Sequence, residues 1–425
     1  LFEVKYHEQA AAETPAIVPP GSQLLTITEN KRMTPGGYER DIRHLALGLD
    51  GLDFPFDLGD AVAIYPENLP QDVDAALKFL ELDGDRVITV KCVSDNVSER
   101  HRRAFDRRVT VRQVLTNMLD LFGRPARSFC MELARFASNA EGQALRELSH
   151  AVDPDAFPAK KDEWAALTEQ CPSYFDLMKK FPSAKMPLEQ LLSTLPLLKP
   201  RIYSIASDAR YSPKAVEFTI VINQWKAKSG ELKTGTCTKF IQHAAVGKQV
   251  ACAVVCGTFQ FPEKDTTPMV MVGLGTGIAP IRSFMQDKLY KKQQGIATGP
   301  MVVFYGCRHE EEELLYKDEW KMYEKEGILS ALVGAFQFDK PHYPPKQIFV
   351  SDKMAERPEL ISDNLLEKGG YFFMCGPAVA TPSVQKALKA SLLQTGGPGA
   401  PKSEKEADQW FKDFTAAGRY SEESY

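Results

Sequence analysis

Residues 273 to 280 read Gly-Leu-Gly-Thr-Gly-Ile-Ala-Pro, and about seventy positions earlier stands Arg201-Ile-Tyr-Ser-Ile-Ala-Ser207. The first follows Met269-Val-Met-Val272, an apolar run suited to a buried strand. Its glycines turn the chain so that backbone N–H groups can approach a pyrophosphate, and a helix expected from about Ile281 would aim its positive end there. Gly275, Thr276 and Gly277 are the candidate contacts of that turn with a dinucleotide. In the second motif, strand alternation puts Arg201 and Tyr203 on one side and Ser204 on the other. A guanidinium suits a diphosphate, and a phenol ring suits the flat face of a flavin. Each motif alone also has a plain steric reading: tight turns need glycine, and Arg-x-Tyr-Ser is ordinary spacing for a half-buried strand.

The elements that must position these residues are legible in outline. Two further buried strands, Met301-Val-Val-Phe-Tyr305 and Tyr371-Phe-Phe-Met374, run into Gly306-Cys307-Arg308 and Cys375-Gly376-Pro377. Strands each followed by small residues and a helix-forming stretch predict a parallel sheet whose carboxyl edge collects ligands. The first hundred residues show short strand-like runs, Gln23–Thr28, Ala61–Tyr65 and Val87–Cys92, which read as the opening of a β-barrel. Apolar spacing of three and four over Val111–Phe122, Ser128–Ala137 and Met186–Leu195 predicts a helical insertion. Strands resume with Arg201–Ala206, Val216–Ile222 and the run from Val250. Gly235-Thr-Cys-Thr238 opens an expected helix, Thr236 to Ala245, whose first amides would either bind the same phosphates or simply need a cap.

These residues resemble the FAD/NADP module of the diflavin reductases, the group containing NADPH-cytochrome reductase, sulfite reductase flavoprotein and the reductase half of nitric oxide synthase. The resemblance also covers Asn30-Lys-Arg-Met-Thr34, His44-Leu-Ala-Leu47, Gly59 to Asn68, and a terminal Gly418-Arg-Tyr-Ser-Glu-Glu-Ser-Tyr425. It implies an α+β and α/β architecture: an antiparallel FAD-binding β-barrel with a helical connecting insertion, then a Rossmann-like parallel-sheet domain of the ferredoxin-NADP reductase type. The expected boundaries are 1–109 and 200–265 for the barrel, 110–199 for the insertion and 266–425 for the nucleotide domain with a flavin-covering tail.

The resemblance further implies FAD and NADPH as cofactors, with NADH an open alternative, and electron delivery to an FMN domain or flavodoxin-like carrier fused upstream. It assigns Arg201 to the FAD pyrophosphate, Tyr203 to stacking, Ser204 to a hydrogen bond near N5, and Trp225 to the adenine, with Gly235, Thr236, Cys237 and Thr238 completing the FAD contacts. Cys375 would lie beside the nicotinamide, and Tyr425 would cover the flavin until the nicotinamide displaces it. Ser204, Cys375, Glu423 and Tyr425 together form the expected proton and hydride relay. Glu423 departs from the family's aspartate by one methylene.

A second departure falls in Gly334-Ala-Phe-Gln-Phe338, where NADPH-dependent relatives place Ser-Arg on the ribose 2′-phosphate and this chain has Gln337 and Phe338. Arg308, Lys340, His342 and Lys346 are the cations left to take that role. These departures keep a second reading in view, a catalytically weakened FAD-binding regulatory or assembly module.

Composition bounds the rest. The chain has 425 residues, 44% hydrophobic, enough for two or three domains with real cores. Basic and acidic residues nearly balance, 52 against 56, which argues against a general nucleic-acid binder. The longest apolar stretches are strand-sized, so no membrane span is expected. Eight cysteines without a Cys-x-x-Cys pair point to an intracellular reducing compartment and no metal site. Arg100, Arg102, Arg103, Arg107, Arg108 and Arg112 crowd into one short stretch, either a solvated loop and helix start or a basic face for an acidic electron carrier.

Overall fold

The computed structural model describes residues 2–7, 17–93, 108–149, 158–227, 230–339, 347–396 and 399–425. Its first large element is a six-stranded antiparallel sheet in the order Arg201–Ser204, Ala61–Ile64, Gln249–Val255, Gln23–Arg32, Ile42–Gly48, Ala215–Val221. Alternation drives it: Leu25 and Ile27, then Val216, Phe218 and Ile220, turn inward and are buried. Each such side chain contributes about 1.5–3 kcal/mol by leaving water. The Ala206 N–H donates to the Glu217 carbonyl at 2.7 Å, drawing the two edge strands together into a barrel. The helix Thr236–His243 packs Cys237, Phe240 and Ile241 onto the same core.

Between Ile64 and Arg201 the chain leaves the barrel for a helical unit. Val111–Asn117 starts in a capping box, where Thr110 Oγ1 accepts from the Gln113 N–H at 3.1 Å and the Gln113 side chain accepts from Thr110 N–H at 3.0 Å. Ser128–Leu133 and Leu188–Thr194 fall within the expected stretches, and Asn139–Ser149, Pro158–Gln170 and Tyr174–Lys180 are further helices.

The strand Val87–Cys92 does not open the barrel. It pairs antiparallel with Phe2–Tyr6 and Arg108–Thr110 in a separate three-stranded sheet. Its Ile88 and Val90 bury against Val114, Leu115 and Leu191 of the helical unit. Period-two alternation identifies a strand and its buried face, but not the sheet that receives it.

The last domain is a five-stranded parallel sheet in the order Leu329–Phe336, Met301–Cys307, Met269–Leu274, Tyr371–Gly376, Tyr420–Ser424. The three central strands are buried on both faces, as a doubly covered sheet requires. The terminal residues are thus an edge strand, with Cys375 in register with Glu423.

Barrel and nucleotide domain are joined by a buried ionic contact. The Arg282 guanidinium, 7% exposed, donates to Glu217 at 2.6 Å and to the Ala206 carbonyl at 2.8 Å on the barrel, and to Glu319 at 2.8 Å on its own side. Below it, the Tyr316 hydroxyl meets Thr219 Oγ1 at 2.8 Å and His44 Nδ1 at 3.1 Å. Arg282→Met leaves two carboxylates facing one another without their cation. It is expected to lower stability by about 3–5 kcal/mol, read as a shift of the urea midpoint; a loss below about 1 kcal/mol would mean that water reaches the pair.

Candidate active site

The barrel strand Arg201–Ser204 pairs with Ala61–Ile64, placing Ser204 opposite Ala61 and Arg201 opposite Ile64. Tyr203 turns back onto the barrel, its hydroxyl 3.5 Å from Cys237 Sγ, and burial holds that phenol well above its usual range. The helix Thr236–His243 begins at Gly235 with no side-chain cap, so its first N–H groups are open to an anion. Thr238 Oγ1 braces the turn, accepting from Asn223 N–H at 3.2 Å and donating to the Gly235 carbonyl at 3.1 Å.

Two cavities meet there. One, of about 820 Å³, is lined by Trp225, Lys233 and Lys239; the other, of about 890 Å³, by Tyr203, Ser204, Thr276, Cys375 and Glu423. Arg201, Gly235 and Thr236 belong to both. An elongated cleft with a guanidinium and a helix N-terminus at its waist, an aromatic at one end and a phenol at the other, fits the donor set and shape of FAD. Trp225 sits on the hairpin of Gln224–Lys226 and Leu232–Thr234 and is half exposed, at the end of the cleft where an adenine would lie.

The opposite wall comes from the nucleotide domain. Met269–Leu274 ends in a tight turn over Gly275–Gly277, and the helix Ile278–Gln293 follows at once, three residues before its expected start. Gly275 has φ +56°, which favours glycine. At Gly277 a Cβ would stand 2.1 Å from the Cys375 carbonyl oxygen, so only glycine lets the turn pass this strand end. That close approach brings Thr276 and Cys375 to one place.

The residues expected to form the relay converge there. Ser204 Oγ donates to Glu423 Oε2 at 3.0 Å, joining barrel to C-terminal strand. The Glu423 carboxyl is held above its ordinary range by burial, with the serine hydrogen bond opposing. Cys375 is 2% exposed, and burial followed by the Glu423 charge keeps its sulfur a thiol. The Tyr425 hydroxyl contacts Thr276 Oγ1 and donates to the Leu274 carbonyl, both at 3.1 Å, while its N–H donates to the Gly376 carbonyl at 3.2 Å. The terminal tyrosine is therefore tied across the glycine turn.

The expected 2′-phosphate subsite looks different. Arg308 follows the strand Met301–Cys307 and is ion-paired with Glu39 of the barrel. Gln337 donates to Gln347 Oε1 at 3.1 Å, and the half-exposed Phe338 ring lies against His309. Lys340, His342 and Lys346, like Arg100, Arg102, Arg103 and Arg107, lie outside the described residues. Among the described residues no cluster of His, Cys, Asp and Glu is arranged to hold a metal, and no helix is long and apolar enough to cross a membrane. Thr258 and Asn223, which line the cleft, and the Glu39–Arg308 pair carried no sequence signal.

A family model described as an FAD binding domain matches residues 22–240, just over half of the chain. The chain belongs to the diflavin reductase family. A second model, an oxidoreductase NAD-binding domain, matches residues 271–386 of the module. The module is 31% identical to a pyruvate dehydrogenase (NADP+) of Cryptosporidium parvum, an alignment covering 96% of this chain and 22% of the relative. It is 30% identical to the sulfite reductase (NADPH) flavoprotein component of Saccharomyces cerevisiae, covering 95% and 37%. With the mitochondrial pyruvate dehydrogenase (NADP+) of Euglena gracilis the identity is 28%, covering 95% and 21%. The chain thus spans between about a fifth and two fifths of the length of these relatives.

Proposed function

We propose that this module takes a hydride from NADPH onto an FAD held between barrel and C-terminal strand, then passes electrons singly to an FMN domain or flavodoxin-like carrier. The observation that carries the reading is the Ser204–Glu423 hydrogen bond, which puts the flavin pocket and the carboxyl edge of the nucleotide sheet in one cavity. Bound FAD supplies hydride acceptance at its N5 and one-electron release. Arg201 and the helix N-terminus would hold the diphosphate, the barrel would exclude water behind Tyr203, and Ser204 would offer a hydrogen-bonding hydroxyl backed by Glu423. Tyr425 keeps the cavity mouth covered between turnovers. The carrier reading is supported by the family membership and by relatives much longer than this chain, which covers 37% of the sulfite reductase flavoprotein component and 22% of the Cryptosporidium pyruvate dehydrogenase.

Purified protein is expected to carry FAD and to reduce ferricyanide with NADPH. A yellow protein without turnover would instead favour the non-catalytic, FAD-binding alternative. NADPH is preferred to NADH in this reading, by a margin the pocket makes small, since Gln337 and Phe338 offer no cation. Phe338→Arg adds at least one charge-assisted contact worth about 1.5–3 kcal/mol, and so is expected to raise the NADPH-to-NADH ratio of kcat/KM by roughly 10- to 100-fold. An unchanged ratio would contradict the placement of the phosphate.

A further inference from the structure

Arg308 stands at the carboxyl end of the strand beside the glycine-turn strand, where doubly wound domains distinguish a 2′-phosphate from a 2′-hydroxyl. It is held from three sides. Its N–H donates to Glu313 Oε2 at 3.2 Å, its carbonyl accepts from Phe338 N–H at 3.0 Å, and its guanidinium is paired with Glu39. Glu39 lies at the tip of the barrel hairpin joining Gln23–Arg32 to Ile42–Gly48. Its neighbours fix that tip: Arg40 donates to both oxygens of Glu313 at 2.8 Å, and the Tyr38 hydroxyl to Oε1 at 2.9 Å. Glu313 is 1% exposed, so the clamp is firm, whereas the Glu39 side chain remains 67% exposed and displaceable.

We propose that Glu39 is a coenzyme-specificity residue, the counter-ion that a 2′-phosphate must displace from Arg308. The inference rests on the reading of Arg308 as a phosphate ligand. An NADH-type ribose asks nothing of Arg308, so the ion pair can persist while it binds. A 2′-phosphate needs the guanidinium and meets a carboxylate already on it. The barrel hairpin therefore biases a choice made in the other domain, lowering the advantage of NADPH without opposing NADH.

The test uses FAD-loaded protein and two probes, adenosine 2′-monophosphate and adenosine 5′-monophosphate, titrated calorimetrically. Glu39→Gln is expected to tighten the 2′ probe by about two- to five-fold, the worth of one exposed ion pair, and to leave the 5′ probe unchanged. Raising the ionic strength should shrink that gain. Arg308→Ala is expected to weaken the 2′ probe and to abolish the effect of Glu39→Gln in the double variant. A Glu39→Gln protein that binds the 2′ probe as wild type does, or that shifts both probes alike, would overturn the inference while leaving the phosphate reading intact, provided Arg308→Ala still weakens the 2′ probe. An Arg308→Ala protein with undiminished affinity for it would overturn the phosphate reading and the inference together.

Discussion

Arg201→Ala is expected to yield a protein that folds but is purified almost colourless. Arg201 is exposed on the edge strand of the barrel, and its guanidinium donates to the neighbouring carbonyls of Lys199 and Pro200 at 3.2 and 3.4 Å. It lines both cavities at their junction, so a diphosphate there would take its two parallel N–H groups. Two charge-assisted hydrogen bonds at about 1.5–3 kcal/mol each amount to roughly 10²- to 10⁴-fold in FAD affinity. Since Arg201 lends no side chain to the core, the flavin-free protein should melt cooperatively, and added FAD should raise Tm far less than in wild type. Flavin content after dialysis, together with a fluorescence titration, checks the expectation. Full retention of FAD would move the diphosphate elsewhere.

Ser204→Ala is expected to leave FAD bound but to slow its reduction by NADPH about 10²-fold, the lower range for removing one preorganised hydrogen-bond donor aimed at the atom where charge changes. The reason lies in how one hydroxyl proton is shared. With Glu423 ionised, Ser204 donates its only proton to the carboxylate at 3.0 Å and has none for a ring nitrogen. With Glu423 protonated, Ser204 accepts from the acid and can donate onward. Burial raises the Glu423 carboxyl above its ordinary value, so the protonated form persists above the usual carboxyl range. Its contribution to stability is complete below the unfolded-state value and is lost as pH rises through the folded one. Flavin reduction should therefore fall with rising pH across that same raised value. Glu423→Gln, which keeps a donor at all pH, should flatten this limb, and Glu423→Asp should retain it. Stopped-flow reduction across a pH series measures both. A limb that survives in Glu423→Gln would assign the titration to another group.

The glycine turn was legible because its geometry excludes alternatives: the positive φ of Gly275 and the 2.1 Å approach at Gly277 leave glycine as the trace of a structural demand. The barrel strands were legible for a similar reason, since inward positions such as Val216, Phe218 and Ile220 must be apolar. Partner choice was not. Val87–Cys92 shows the same alternation whichever sheet receives it, and it joined the helical unit. Tyr420–Ser424 has no apolar run at all; it becomes a strand because Tyr371–Gly376 presents an open edge and Ser204 meets Glu423 from across the cleft. The pairing of Glu39 with Arg308 spans 269 positions and exists only once the two domains are docked. Chemistry concentrated in short motifs left marks in the sequence, whereas chemistry assembled between domains did not.

In the proposed function one cavity holds the flavin ring against the carboxyl edge of the nucleotide sheet, so that hydride passes directly. Anaerobic single-turnover mixing of FAD-loaded protein with NADPH deuterated at the transferred position tests it. Complete bleaching of the flavin, slowed severalfold by deuterium, is the expected result. A flavin that stays oxidised in fully loaded protein, or one whose bleaching is insensitive to the label even when chemistry is made limiting by Ser204→Ala, would contradict it.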